Sequence, residues 1–175
     1  MKAKTSENSQ KGNTSELLQK WQYAIRICHK AHIRSAAHMN RRHRVLGIVV
    51  VILSTIVGTS VFATLDSSPK TWVKILVGFL SVAAAVFAGL QTFLNYSEKE
   101  EMHRVASQKY GALRREIEEF LVLPKGMNDN PEDFLINIRS RWDAIDNDSP
   151  SLSQKLYDKI AKGIRTESLR REKNN

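Results

Sequence analysis

The stretch ICHKAHI brings Cys28, His29 and His32 within little more than one helical turn, and Cys28 and His32, four residues apart, would share a helix face. A thiolate and imidazoles at that spacing are the soft ligands that hold zinc. Such a site needs further ligands, and neither a second cysteine nor a carboxylate accompanies these three. The expectation is therefore no metal: a cysteine packed between helices, beside solvated histidines. His38 and His43 stand just before a long apolar run, where protonation would change the surface charge. Glu98, Glu100 and Glu101 read as the solvated start of a helix. There is no glycine-rich phosphate loop, HExxH, GxSxG or pair of catalytic carboxylates. No catalytic residue, metal or cofactor is expected, and the chain does not read as an enzyme.

Whatever the chain does must therefore follow from how its polarity is distributed. A mean hydropathy of -0.36 suggests a soluble protein. Yet residues 45–65 and 75–96 contain no charged side chain. The first run, 21 residues rising ~1.5 Å each, would span roughly 31 Å as a helix, the thickness of a bilayer's hydrocarbon core. Its thirteen Val, Ile, Leu and Phe residues favour insertion by roughly 4–8 kcal/mol. The second run is 22 residues long, with eleven such residues and four alanines. Neither keeps the polar stripe of a helix in a soluble core. Two transmembrane helices are expected, at about 45–65 and about 72–96.

Between them lies Asp66-Ser67-Ser68-Pro69-Lys70-Thr71, in which Ser68 would cap the next helix and Pro69 would open it. So short a connection makes an antiparallel hairpin and puts both chain ends on one side. The net charge of +9 identifies that side. Residues 26–44 and 97–115 carry eleven Lys/Arg together, whereas the turn offers only Lys70 and Lys74. By the positive-inside rule both termini are cytoplasmic. Arg34, Arg41, Arg42 and Arg44 would serve topology and attract anionic lipid or another anionic ligand. Residues 97–175 carry fifteen charges of each sign, so there is no basic domain and direct nucleic-acid binding is not expected.

Small residues recur at helical spacing: Ser81, Ala85 and Gly89 in the second run, Ser54 and Gly58 in the first, with Thr55, Thr59 and Ala63 beside them. Such rows let helices approach closely in lipid, within one hairpin, between protomers or along a pore wall. Gln91, Thr92 and Asn95 cluster near the cytoplasmic end and could form a pore mouth. No ionisable residue lies mid-membrane, which argues against a proton relay or coupled transporter.

The flanks extend both runs. Residues 1–12 read as disordered. From Asn13, Leu17, Trp21, Ala24/Ile25, Cys28, Ala31 and Ser35 mark one face of a helix that continues through the membrane. After Tyr96, the residues Met102, Val105/Ala106, Tyr110, Leu113, Ile117 and Phe120/Leu121 do the same until Pro124. Residues 13–123 therefore form the hairpin with its cytosolic arms, packed antiparallel. Residues 124–167 form a helical pair. One helix is capped by Asn130, with Phe134, Ile138, Trp142 and Ile145 on its apolar face. The other opens at Ser149-Pro150, with Leu152, Leu156, Ile160 and Ile164 on one side. The pair would fold back on the arms or bind a neighbour, and residues 168–175 would fray. The fold class is an all-α membrane protein.

From Trp21 to Ile164 this layout resembles the SLATT family, two-transmembrane effector domains associated with SMODS nucleotide cyclases and SLOG sensors. The resemblance rests on the helix bearing Trp21, Ala31 and Arg34, the two spans, the exit segment FLNYSEKEEMHRVASQKYGALRREIEEFLVLP with Tyr110, and the tail Asn147-Asp148-Ser149-Pro150. It implies a homo-oligomeric, pore-forming effector of antiphage defence in the bacterial inner membrane. An operon-encoded sensor, a nucleotide second-messenger system or a reverse transcriptase would trigger it. The chain carries no fused sensor or enzyme, so sensing would fall to a separate partner. The alternatives are a non-perforating membrane anchor that recruits a cytosolic partner and, last, a holin-like protein.

Overall fold

The computed structural model describes the backbone of residues 2–63, 70–122 and 131–174, with side chains from Asn13 onward except at positions 62, 63, 172 and 174. The expected Ser68–Pro69 turn, the Pro124 stop, the Asn130 cap and the side chain of Ala63 lie outside the described residues. Five helices follow in order: α1 (Lys2–Ala63), α2 (Thr71–Leu94), α3 (Tyr96–Val122), α4 (Pro131–Asp148) and α5 (Gln154–Asn174), with no strand among the described residues. They build two compact units, one from Met1–Ala36 with Glu101–Asn175, the other from Ala37–Glu100.

Four boundaries differ from the sequence reading. Helix α1 begins at Lys2 rather than near residue 14: no proline interrupts it, and each added residue contributes a hydrogen bond. The second long helix is not continuous. Asn95 adopts the left-handed conformation, with φ 42°, and divides α2 from α3. Asparagine tolerates that conformation because its short amide bonds locally; here its Nδ2 donates to Glu98 and its backbone carbonyl accepts from the Lys99 amide at 3.3 Å. Helix α5 opens after Ser153, whose carbonyl accepts from both Leu156 and Tyr157, rather than at Pro150. It continues to Asn174, through the segment expected to fray, with Arg171 and Lys173 in its last turn complementing the helix dipole.

The first unit is a bundle of the α1 and α3 arms with α4 and α5. Leu18, Ile25 and His32 of α1 are buried at seven-residue intervals, and His103, Ala106, Tyr110, Leu113 and Ile117 of α3 at intervals of three and four. That alternation of three and four is the seam of a left-handed helix pair. The arms are antiparallel: Gln22 Nε2 donates to Glu118 at 3.1 Å while His32 meets His103. Helix α4 covers this seam with Ile138 and Ile145, joined by an edge-to-face contact of Trp21 with Trp142 and a stack of Phe120 on Phe134. Helix α5 packs Ile160 and Ile164 on a second face of α1 formed by Ile27 and Ala31. Both short helices thus fold back on the arms. Leu17, Met102 and Val105, expected inside, are exposed, because the seam runs through their neighbours Leu18, His103 and Ala106.

Ile117 is fully buried in this seam. Ile117→Ala should lower unfolding stability by about 2–5 kcal/mol, whereas Met102→Ala, on the exposed face, should stay within about 0.5 kcal/mol. Denaturation of the detergent-solubilised chain, followed by tryptophan fluorescence, checks both.

Candidate functional site: the hairpin faces and a buried imidazole pair

The second unit is the apolar hairpin. Stretches of α1 and α2 are each long and apolar enough to cross a membrane, and none of their most apolar residues is buried within the chain. Val51, Ile75, Phe79 and Phe93 are 64%, 68%, 73% and 85% exposed. A soluble core helix hides such residues; these belong in hydrocarbon. The half-buried positions include Leu46, Val50, Leu53, Val57 and Ser60 on α1, flanked by Gly47, Val49 and Gly58, and Val73, Val77, Leu80, Ala84, Phe87, Gln91 and Leu94 on α2, flanked by Ser81 and Ala83; the two main sets carry the pattern. They alternate by three and four, the signature of a helix–helix seam inside the hairpin.

The small residues mostly lie off that seam. Ser54, Ala85 and Gly89 are exposed, while Gly58 and Ser81 are half-buried. A methyl group added at Gly58 or Gly89 would meet nothing within 4 Å, so packing inside the hairpin does not require their smallness. Several hydroxyls are satisfied within their own helices: Thr55 donates to Val51 O at 2.8 Å, Ser81 to Val77 O at 3.0 Å and Thr92 to Ala88 O at 3.3 Å. Such bonds let Ser and Thr sit in lipid.

The polar end is not one ring within the chain. Gln91 turns toward Gly47, where its amide nitrogen would be 3.7 Å from an added Cβ. Thr92 faces outward, and Asn95 makes the helix break. The four arginines also separate. Arg34 belongs to the bundle unit, Arg41 and Arg42 share one wall of the hairpin unit, and Arg44 lies with Asn40 and His43 on another.

Sequence reasoning missed the most unusual polar contact. His32 and His103, expected solvated and unremarked respectively, are buried with their Nδ1 atoms 3.0 Å apart. One ring must donate from Nδ1 and the other accept there, so the two neutral tautomers differ. His32 also stacks on Tyr110, centroids 5.3 Å apart, and the Tyr110 hydroxyl donates to Asp146 of α4. The signal was available: stepping back from Ile117, Leu113, Tyr110 and Ala106 at heptad spacing lands on His103. Cys28 packs at the edge of the same core, and its thiol is pushed up to about 11, first by burial and then by Asp146. It is therefore a protonated packing residue at neutral pH. No group of three metal-ligating side chains occurs among the described residues.

Burial, with the neighbouring His103, lowers His32 to about 4, and burial lowers His103 too. Between pH 6.5 and about 4 the unfolded chain binds protons that the folded bundle refuses. The stability contributed by the neutral pair is complete above that window and is lost as pH falls through it. The bundle should therefore weaken from pH 7 to pH 4.5, and His32→Asn should flatten that dependence. Urea midpoints across pH for both proteins provide the check; equal slopes would remove the pair from the account.

A family model for the SMODS and SLOG-associating 2TM effector domain, family 4, matches residues 18–169. No curated protein and no solved structure matches the chain. The match starts at Leu18, the first buried residue of the bundle seam, runs through both apolar helices and ends near the close of α5. The chain belongs to the SMODS and SLOG-associating two-transmembrane effector domains, family 4.

Proposed function

We propose that the chain is a homo-oligomeric membrane-perforating effector of bacterial antiphage defence. It crosses the inner membrane twice, with both termini cytoplasmic. A separate partner, a sensor, a nucleotide second-messenger system or a reverse transcriptase, triggers it. The family supports the effector role. The observation that supports self-assembly is that small residues on both helices, Ser54 on α1 and Ala85 and Gly89 on α2, are exposed rather than packed in the hairpin, with open space around Gly89. In lipid, close backbone approach is what such residues offer a second helix. The Lys/Arg asymmetry of the flanks supports the orientation. The anchor reading draws less support, because the apolar faces of α4 and α5 are already covered by the bundle.

In the Cys28→Ser background, Ala85→Cys should form disulfide-linked dimers in native membranes under mild oxidation. Val77→Cys, on the seam within one hairpin, should not. Adding Gly89→Leu should abolish the Ala85→Cys cross-link without lowering insertion, and should also abolish loss of membrane potential in triggered cells. An Ala85→Cys protein that inserts but stays monomeric would overturn the oligomeric reading.

A further inference from the structure

At the cytoplasmic edge of the hairpin unit a cavity of about 370 Å³ is lined by His38, Arg41, Arg42, Val45, Leu46 and Tyr96. That volume lies in the ~300–1,000 Å³ range of small-ligand sites. Its lining divides in two. His38, Arg41 and Arg42 supply nitrogen donors, and no carboxylate lines the wall. Among the described residues no ion pair engages Arg41 or Arg42; the nearest acid in sequence on α3, Glu98, accepts from Asn95 instead. Val45 and Leu46 open the uncharged run and form an apolar wall. Two cations lie over the Tyr96 ring, Arg42 Cζ 5.9 Å and Lys99 Nζ 6.0 Å from its centroid. The ring thus holds Arg42 in place by a cation–π contact.

We propose that this cavity binds the phosphodiester of one anionic phospholipid, with an acyl chain running along Val45 and Leu46. The proposal rests on the membrane placement given above. Two guanidiniums that engage no carboxylate among the described residues present forks that match phosphate oxygens. A free phosphate would satisfy them equally but would leave the apolar wall wet, whereas a lipid phosphate arrives with its hydrocarbon attached. Helical spacing puts His38, Arg41/Arg42 and Val45/Leu46 on one side of α1, so headgroup and chain contacts succeed each other along one helix face. Arg44 lines a different cavity, with Asn40, His43, Gly47 and Ile48, and serves as the internal comparison.

The test reconstitutes the full chain in nanodiscs of equal phosphatidylglycerol and phosphatidylethanolamine, then counts co-purifying lipid by native mass spectrometry. One phosphatidylglycerol should be retained in preference to phosphatidylethanolamine. At about 1 kcal/mol per charge, Arg41→Gln/Arg42→Gln should cut that preference roughly 10–30-fold. Arg42→Lys, which keeps charge and topology but loses the fork, should reduce it several-fold. Tyr96→Leu should do the same, and Arg44→Gln should leave it unchanged. Vesicle flotation monitors insertion of every variant. An inserted wild-type chain without phosphatidylglycerol preference, or equal loss on Arg44→Gln, would overturn the site. Displacement by excess inorganic phosphate would overturn the lipid in favour of a free anion. Failure of the wild type to insert would overturn the membrane reading as well.

Discussion

Hydrocarbon offers no hydrogen bonds to a peptide group. Everything in the hairpin unit follows from that constraint. The two apolar runs must be helices, because only a helix satisfies its backbone within one segment. Their serines and threonines return their hydroxyl protons to carbonyls of their own helix, as Thr55, Thr59, Ser60, Ser81 and Thr92 do. The left-handed break at Asn95 lies where the uncharged run gives way to Glu98 and Lys99, and its own amide and Glu98 close the gap.

The bundle unit obeys the opposite solvent. In water the arms gain by burying apolar faces, and α4 and α5 each complete one of two core clusters. Helix α1 therefore needs two buried faces in its first half, Leu18/Ile25/His32 toward α3 and α4 and Ile27/Ala31 toward α5. Its surface ion pairs, such as Lys30 with Glu167 at 3.1 Å and Lys109 with Asp148 at 3.1 Å, join exposed groups and add little. The polar interaction with consequence is the imidazole pair, since a buried donor left without an acceptor is costly. Placing two histidines where aliphatic residues would pack makes that layer sensitive to protons.

For a two-transmembrane effector domain, which faces are covered and which are left open is the central structural question. The half-buried stripes inside the hairpin run along Leu46, Val50, Leu53 and Val57 on α1 and Val77, Leu80, Ala84 and Phe87 on α2. Ser54, Ala85 and Gly89 are left exposed.

Much of this was legible in the residues themselves. Length and absence of charge located both spans, because insertion is a sum over residues. Spacings of three and four identified the apolar faces of α4 and α5, because a regular helix turns that spacing into a stripe. Lys/Arg counts and the family resemblance were likewise readable without coordinates. Tertiary structure alone decided which of two adjacent residues entered the core, Leu18 over Leu17 and His103 over Met102. It alone paired His32 with His103, 71 residues apart. It also turned Ala85 and Gly89 away from the hairpin seam. A helical pattern defines a stripe to within a residue or so, whereas the partner's position and the direction of approach settle which side chain sits at its centre.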